Sequence, residues 1–164
     1  MDLMINVREI KKTEIYHLDY FLYEAIFIPL GEKKPDSKII RIPELDCYIK
    51  DFGKVSDLCL VAEFQGNLIG AVWIRIYTEH EKGFGYVDSK TPELSMSVVE
   101  KYRNQGIGAR LLANMIEMLM QIGYEQVSLS VDLENYALKL HKKHGFEIVQ
   151  SDNKSAIMIK HLKK

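Results

Sequence analysis

Residues 93–123 constrain the fold more than any other part of the chain, because they predict a strand, a glycine turn and a helix in direct succession. Residues 93–99 (Glu-Leu-Ser-Met-Ser-Val-Val) have the composition of a β-strand. The turn Arg103-x-x-Gly106-x-Gly108 follows, and Gly123 is placed to end the helix after it. The helix is predicted from an apolar stripe at helical spacing, formed by Ile107, Leu111, Met115, Leu119 and Ile122.

The glycine turn is a candidate site for a phosphate or pyrophosphate. Glycines let the backbone turn tightly and expose its N–H groups. The first N–H groups of the following helix have no internal acceptor, and the helix dipole adds partial positive charge there. A plain glycine turn before a core helix is the alternative. Two nucleotide motifs do not fit, since Leu111 stands where a dinucleotide fingerprint needs a small residue, and Ala109-Arg110 replaces the Lys-Ser/Thr of a Walker loop.

The other elements are predicted from periodicity and turn residues, and together they indicate a mixed α/β (α+β) fold. Strands are expected at 4–9, 58–64, 68–77, 126–131, 146–149 and 155–160, and helices at 12–27, 44–52 and 135–143. With the central segment, the predicted order is β-α-α-β-β-β-α-β-α-β-β. No linker divides the 164 residues, so residues 1–164 are interpreted as one domain.

Charge, cysteine content and hydropathy exclude several classes of function. The formal net charge is -1, from 22 basic and 23 acidic residues, without the excess of positive charge that nucleic-acid binding requires. The two cysteines and the absence of a Cys/His cluster favour a reducing compartment and no metal site. We find no signal peptide and no apolar run of about 18 residues, so a cytoplasmic protein without a membrane partner is expected.

Two motifs in sequence order resemble those of the GNAT superfamily of N-acetyltransferases. That family has Arg/Gln-x-x-Gly-x-Gly/Ala between its fourth strand and third helix, as at Arg103 to Gly108 here. Farther along it has a strand, an Asn, Ala-x-x-Leu-Tyr and Gly-Phe. The matching positions here are Ser128 to Val131, Asn135, Ala137 to Leu140, and Gly145-Phe146. The resemblance implies a mixed, mostly antiparallel central sheet flanked by helices. It also implies transfer of the acetyl group of acetyl-CoA to a primary amine.

The resemblance implies a set of residues that bind coenzyme A, and no metal. The pyrophosphate is expected on the N–H groups of Arg103, Asn104, Gln105, Gly106, Ile107, Gly108 and Ala109. The pantetheine arm is expected to pair like an extra strand with backbone groups at Val98 and Val99, where one N–H also polarises the thioester carbonyl. Asn135 matches the family asparagine that hydrogen-bonds the cofactor arm.

Two residues are implied as catalytic. Glu93 stands where many relatives have a Glu that deprotonates the amine through water; a solvated carboxylate at a strand end is the alternative. His141 stands where relatives usually have the Tyr that protonates the departing thiolate. Histidine can donate a proton near neutral pH. The alternative is a residue on the helix surface, with the thiolate leaving unaided.

The acceptor is expected to be a small-molecule or peptide amine, and the sequence does not identify it. In relatives the connectors that correspond to 29–44 and 78–92 shape the acceptor pocket. The second connector carries Glu79, Glu81 and Asp88 close to Phe84 and Tyr86, which would suit a cationic amine; ordinary loop charges are the alternative.

Other functions and assemblies stay open at this point. The replacement of Tyr by His141 is compatible with a coenzyme A-binding regulatory module without turnover. An unrelated nucleotide-binding domain is a third reading, which the pair of motifs disfavours. The donor is acetyl-CoA or a longer acyl-CoA. Dimers are common in the family, so a homodimer is one expectation.

Overall fold

The computed structural model describes residues 4–162, and within them seven strands form one sheet in the order β1-β2-β3-β4-β5-β7-β6. Adjacent strands are antiparallel except β4 and β5, which are parallel. The strands are β1 (Asn6–Glu9), β2 (Leu58–Phe64), β3 (Asn67–Arg75), β4 (Glu93–Val98), β5 (Gln126–Asp132), β6 (Glu147–Ser151) and β7 (Ser155–His161). This sheet confirms the predicted mixed, mostly antiparallel fold.

Four α-helices complete the predicted order of elements: α1 (Leu18–Ala25), α2 (Pro43–Asp46), α3 (Ile107–Ile122) and α4 (Ala137–Lys143). Short 3-10 helices lie at Lys12–His17, Ser37–Arg41 and Glu100–Tyr102, so the first part of the predicted helix at 12–27 is 3-10. No helix within residues 4–162 has the length and apolar character to cross a membrane.

The second predicted helix, at 44–52, is shorter than expected, and a buried arginine on β3 explains why. The Nη1 group of Arg75 donates to the carbonyl oxygens of Cys47 at 3.1 Å and Lys50 at 2.7 Å. These carbonyls therefore point at Arg75 instead of continuing a regular helix. Asp51, with φ 52°, and Gly53, with φ 123°, then end the segment in left-handed conformations.

The sheet carries a different hydrophobic core on each face. On one face α3 packs Leu111, Leu112, Met115 and Leu119 against the strands, and all four are fully buried. On the other face α1 and the segments around α2 pack around the buried Trp73 of β3. Burial of a large apolar side chain contributes roughly 1.5–3 kcal/mol, so each layer is held firmly on its own side of the sheet.

The parallel strands β4 and β5 meet at one point only. Glu93 pairs with Ser128, and the Ser128 amide donates to the Pro92 carbonyl at 3.0 Å. Beyond that point the strands diverge, while the other edge of β4 stays paired with β3 over its whole length. The sheet is thus split along the side of β4 that faces β5.

Candidate active site

The split exposes one edge of β4. The Val99 amide donates to the Ile69 carbonyl of β3 at 2.8 Å, so this residue is directed away from the split. Main-chain groups of successive strand residues alternate in direction, and the groups of Met96 and Val98 therefore face the split. A polar strand edge inside a protein requires a partner. The edge is thus shaped to take an extended ligand as an additional strand.

This geometry corrects the expected pair Val98 and Val99. The Val99 amide is already used within the sheet, and the Val98 carbonyl accepts from Arg103 Nε at 2.9 Å. The main-chain groups that remain available to a ligand in the split are the amide and carbonyl of Met96 and the amide of Val98.

The glycine turn and α3 follow directly from the end of β4. Asn104, with φ 62°, and Gly106, with φ 84°, adopt the left-handed conformation that curls the turn. Gly106 caps α3, so the amides of Gly106, Ile107, Gly108 and Ala109 have no acceptor within the helix. These amides form a cradle of N–H groups at the positive end of a 16-residue helix.

Arg103 contributes to the cradle less directly than expected. Its amide donates to the Glu100 carbonyl at 3.1 Å, and its guanidinium binds the Val98 carbonyl and, at 3.1 Å, the Glu24 carboxylate at the end of α1. The Gln105 side chain likewise donates to the Lys101 carbonyl at 3.3 Å. The side chain of Arg103 therefore fixes the turn against α1.

Gly108 lies beside apolar side chains of β4 and α4. A Cβ atom at this position would lie 3.4 Å from Met96 Cε and 3.6 Å from Leu140 Cδ2, which are ordinary contact distances. The packing here therefore has room for a methyl group, and a longer side chain would meet these apolar neighbours.

A cavity of about 400 Å³ occupies the split and is lined from both faces of the sheet. It brings together three of the predicted site residues, Glu93, Asn135 and His141. Phe84 and Tyr48 also line it. Glu93 and His141 approach this cavity from β4 and α4, respectively.

Glu93 is a buried carboxylate, only 2% exposed. Its Oε2 accepts a hydrogen bond from the Tyr48 hydroxyl at 2.5 Å, and its Oε1 has no hydrogen-bond partner within residues 4–162. Burial raises the pKa of Glu93 to about 7, against the smaller opposing effects of the Tyr48 hydrogen bond and of the nearby Gly85 main-chain amide. The alternative of a solvated strand-end carboxylate is therefore wrong.

Tyr48 is the main site residue that the sequence did not predict. Its hydroxyl also accepts from the Phe84 amide at 2.8 Å, which joins the turn after α2 to the connector before β4. Its carbonyl accepts from Trp73 Nε1 at 3.1 Å. The Tyr77 ring packs edge-on against the Tyr48 ring, with centroids 5.8 Å apart. No local pattern could have linked position 48 to position 93.

His141 is buried, with 5% exposure, so the alternative of a helix-surface residue is wrong. Burial, together with the nearby His144, lowers the pKa of His141 to about 4. The imidazole is therefore neutral at pH 7. Its Nδ1 has no hydrogen-bond partner within residues 4–162, and its ring packs edge-on against Phe146.

Asn135 lies at the start of α4. Its Oδ1 accepts from the Ala137 amide at 2.9 Å, which fixes the side chain and leaves its amide NH₂ to donate to a ligand.

The connector before β4 differs from expectation in its charges. Its carboxylates do not line the cavity: Glu79, Glu81 and Asp88 are exposed, and Asp88 accepts from the Lys90 and Thr91 amides at 2.8 Å. Phe84 does line it. The expectation of a cationic-amine pocket built from these three carboxylates is therefore wrong.

Comparison with known proteins agrees with this fold and site. The model of the acetyltransferase (GNAT) family matches residues 16–146. Together with the N-acetyltransferases that the chain resembles, this match supports an acyltransferase. The chain belongs to the GNAT acetyltransferase family.

Curated relatives are N-acetyltransferases. The chain is 25% identical over 122 residues to "N-alpha-acetyltransferase 50" of Danio rerio, covering 73% of this chain and 68% of the relative. It is 32% identical over 111 residues to an "N-alpha-acetyltransferase" of Sulfolobus acidocaldarius, covering 63% and 62%. It is 28% identical over 100 residues to the "L-amino acid N-acetyltransferase AaaT" of Escherichia coli, covering 60% and 58%. The chain thus spans less than two thirds of the length of several of these relatives.

Solved structures share the fold at low sequence identity. The ribosomal-protein-S18-alanine N-acetyltransferase of Escherichia coli has a TM-score of 0.69 at 16% identity, covering 98% of this chain and 96% of its own. PaiA N-acetyltransferase from Thermoplasma acidophilum, in complex with coenzyme A, has a TM-score of 0.67 at 20% identity, covering 97% and 99%. YncA from Salmonella typhimurium, with acetyl-CoA, has a TM-score of 0.70 at 17% identity, covering 98% and 95%.

Proposed function

We propose that this protein transfers the acetyl group of acetyl-CoA to the primary α-amine of a peptide or an amino acid. The observation that carries the proposal is Glu93, a buried carboxylate whose pKa is raised to about 7 at the point where β4 and β5 separate. A general base is most effective when its pKa lies near the working pH. The acceptor class is supported by the names of two relatives, an N-alpha-acetyltransferase and an L-amino acid N-acetyltransferase.

The split fits the two parts of acetyl-CoA that a protein recognises most readily. The amides of Gly106 to Ala109 suit the pyrophosphate, because they combine free N–H groups with the positive end of α3. The main-chain groups of Met96 and the Val98 amide suit the extended pantetheine arm, which carries amide groups of its own. In this proposal the Asn135 amide NH₂ donates to that arm. Two structures of the same fold contain coenzyme A or acetyl-CoA, which supports acetyl-CoA as the donor.

In the proposed reaction the amine nitrogen attacks the thioester carbonyl carbon, the C–S bond breaks, and the amine proton passes to Glu93, directly or through one water. Tyr48 holds Oε2, so Oε1 is the oxygen left to take the proton. A main-chain amide of β4 facing the split would stabilise the negative charge that develops on the carbonyl oxygen.

His141 has a limited part in this proposal. A neutral imidazole carries one N–H, which can hydrogen-bond the departing sulfur but is not an acidic proton at pH 7. We therefore assign His141 as a polar contact for the sulfur. The thiolate leaves mainly through its own stability.

The test begins with calorimetric binding of acetyl-CoA, with dephospho-coenzyme A and ATP as comparisons, followed by release of free thiol with added α-amines. Tight binding of acetyl-CoA and amine-dependent thiol release are expected. Binding without release for any amine would favour a coenzyme A-binding module, and no binding would refute the assignment of the split. Faster release of thiol from a longer acyl-CoA would show that the donor is that acyl-CoA and not acetyl-CoA.

A further inference from the structure

The wall of the cavity on the Glu93 side is strongly apolar. Glu93 faces the helical layer of α1 and α2, because the adjacent Leu94 packs in the opposite core with α3. That layer and the segments next to its helices contribute Leu22, Ile26, Phe27, Ile39 and Leu45 to the cavity, and the connector before β4 adds Phe84. An amine that reaches Glu93 therefore brings its neighbouring atoms against hydrocarbon.

The carboxylates that line the cavity are Glu93 and Asp132, and they are far apart. Asp132 lies on β5 four residues beyond Ser128, the pairing partner of Glu93, which is about 13 Å at the rise of a strand. One of its oxygens accepts from the Glu134 amide at 2.9 Å. A cationic side chain next to the reacting amine would therefore lie against the apolar wall without a carboxylate partner.

These two features discriminate among amines. Each buried methylene group strengthens binding roughly fourfold, so an apolar side chain gains affinity on this wall. A charged or strongly polar side chain that packs on these apolar residues loses water and finds no hydrogen-bond partner on them. Glu93 itself is used for the reacting nitrogen and is not free to pair with a second cation.

We propose that the acceptor is an α-amine whose own side chain is large and apolar, such as a leucine, methionine or phenylalanine at a peptide N-terminus or as a free amino-acid derivative. This inference rests on the proposed function and adds the substrate class. The competing acceptor is a linear polyamine long enough to reach from Glu93 to Asp132.

The experiment measures kcat/KM by thiol release for peptides that are identical except for the first residue. Leucine, methionine and phenylalanine are compared with serine, aspartate and lysine; leucinamide and spermidine are added. We expect the apolar first residues to exceed the polar ones by roughly tenfold or more. Equal rates for lysine-first or aspartate-first peptides, or spermidine as the best acceptor, would overturn the inference. Leucinamide distinguishes a peptide N-terminus from a free amino-acid derivative as the acceptor. If leucinamide is acetylated as fast as the leucine-first peptide, the acceptor is a free amino-acid derivative.

A variant at the mouth of the cavity adds a second readout. Phe84 is 57% exposed, so Phe84→Ala is expected to fold, and its backbone bond to Tyr48 is retained. Tyr16→Ala removes an aromatic ring that is 70% exposed and outside the cavity, and is the matched control. We expect Phe84→Ala to lower kcat/KM for the phenylalanine-first peptide roughly tenfold, with a smaller loss for a glycine-first peptide. The control should lower neither.

The outcomes separate the two proposals. If acetyl-CoA binds and no amine releases thiol, the proposed function fails and the inference fails with it. If thiol is released but Phe84→Ala affects all first residues equally, only the inference fails.

Discussion

Two buried ionisable side chains line one cavity, and burial moves the pKa of each in the direction that favours its neutral form. The pKa of Glu93, on the side of the cavity proposed for the acceptor, is raised to about 7. The pKa of His141, on the side proposed for the cofactor, is lowered to about 4. The functional consequences are opposite. At neutral pH Glu93 is partly ionised and can accept a proton, whereas His141 is neutral and has no imidazolium proton to give.

In the proposed reaction, the difference assigns assisted proton transfer to the Glu93 side of the cavity. An amine that is protonated in water has to lose a proton before it attacks, so a base at the acceptor end removes a real barrier. A coenzyme A thiolate is a moderately good leaving group, and an acid at the other end is less necessary. Four variants test this asymmetry.

Glu93→Gln should have the largest effect. We expect kcat to fall roughly 10²–10⁴-fold, because the amide cannot accept the amine proton, while the Kd of acetyl-CoA stays unchanged. Steady-state thiol release and calorimetry measure the two quantities. Glu147→Gln, on the exposed strand β6, is the control and should retain full activity. If Glu93→Gln keeps more than a tenth of the rate, Glu93 is not the base.

Ala109→Glu should weaken acetyl-CoA binding at the N-terminus of α3. A carboxylate in the first turn of α3 favours the helix but repels a pyrophosphate in the cradle. We expect the Kd to rise roughly tenfold or more at low salt. Ala113→Glu adds the same charge one turn farther along α3, where the residue is exposed, and should raise the Kd much less. Equal effects of the two variants on the Kd would show that the cradle does not bind the pyrophosphate.

Tyr48→Phe should have an intermediate effect, with a shift in pH dependence that a purely structural role would not produce. The Tyr48 hydrogen bond lowers the pKa of Glu93, so its loss should raise that pKa and move the ascending limb of the pH–rate profile to higher pH. We expect roughly a tenfold loss of kcat at pH 7. Tyr77→Phe is the matched control, since the Tyr77 hydroxyl has no hydrogen-bond partner within residues 4–162. An unshifted profile in Tyr48→Phe would rule out a positioning role.

His141→Gln should have the smallest kinetic effect. If His141 supplied a proton to the sulfur, its loss would reduce kcat by about 10²–10⁴-fold; we expect less than tenfold. A loss in the larger range would restore His141 as the acid.

The same variant tests the lowered pKa of His141 through protein stability. The unfolded histidine binds a proton near pH 6.5, whereas the folded one does so only near 4, so the wild-type protein loses stability as the pH falls between these values. His141→Gln should reduce that loss in denaturant unfolding. The raised pKa of Glu93 acts in the other direction of pH, because the stability linked to it is lost as the pH rises from about 4.5 to 7. Glu93→Gln should therefore reduce the loss of stability on raising the pH over this range.

The strand, glycine turn and helix of residues 93–123 were predictable from sequence because the information is local. The apolar period of α3, the glycine turn before it and the strand before that are consecutive in the chain, and each follows from residue type. On the strand edge, Val99 was expected to face the ligand, and Met96 takes its place beside the Val98 amide. The direction of a main-chain group depends on which neighbouring strand takes it, and here Ile69 takes the Val99 amide.

The acceptor end was not predictable in the same way, because its geometry comes from contacts between distant segments. Tyr48 reaches Glu93 only because Arg75 and Trp73 hold the turn after α2 in place through its carbonyl groups. The three carboxylates of the connector before β4 suggested a cationic pocket, but their side chains are exposed and an aromatic neighbour, Phe84, lines the cavity. Side-chain direction in an irregular connector has no periodicity from which to predict it.

The ionisation of Glu93 is measured most directly by carbon-detected NMR titration of a sample labelled at its glutamate carboxyl groups, with Glu93→Gln used to assign the resonance. A midpoint near pH 7 for Glu93, well above the ordinary glutamate value, is the result that a buried, poised base predicts. A midpoint near pH 4.5 would show a solvated carboxylate and contradict the assignment of Glu93 as the base.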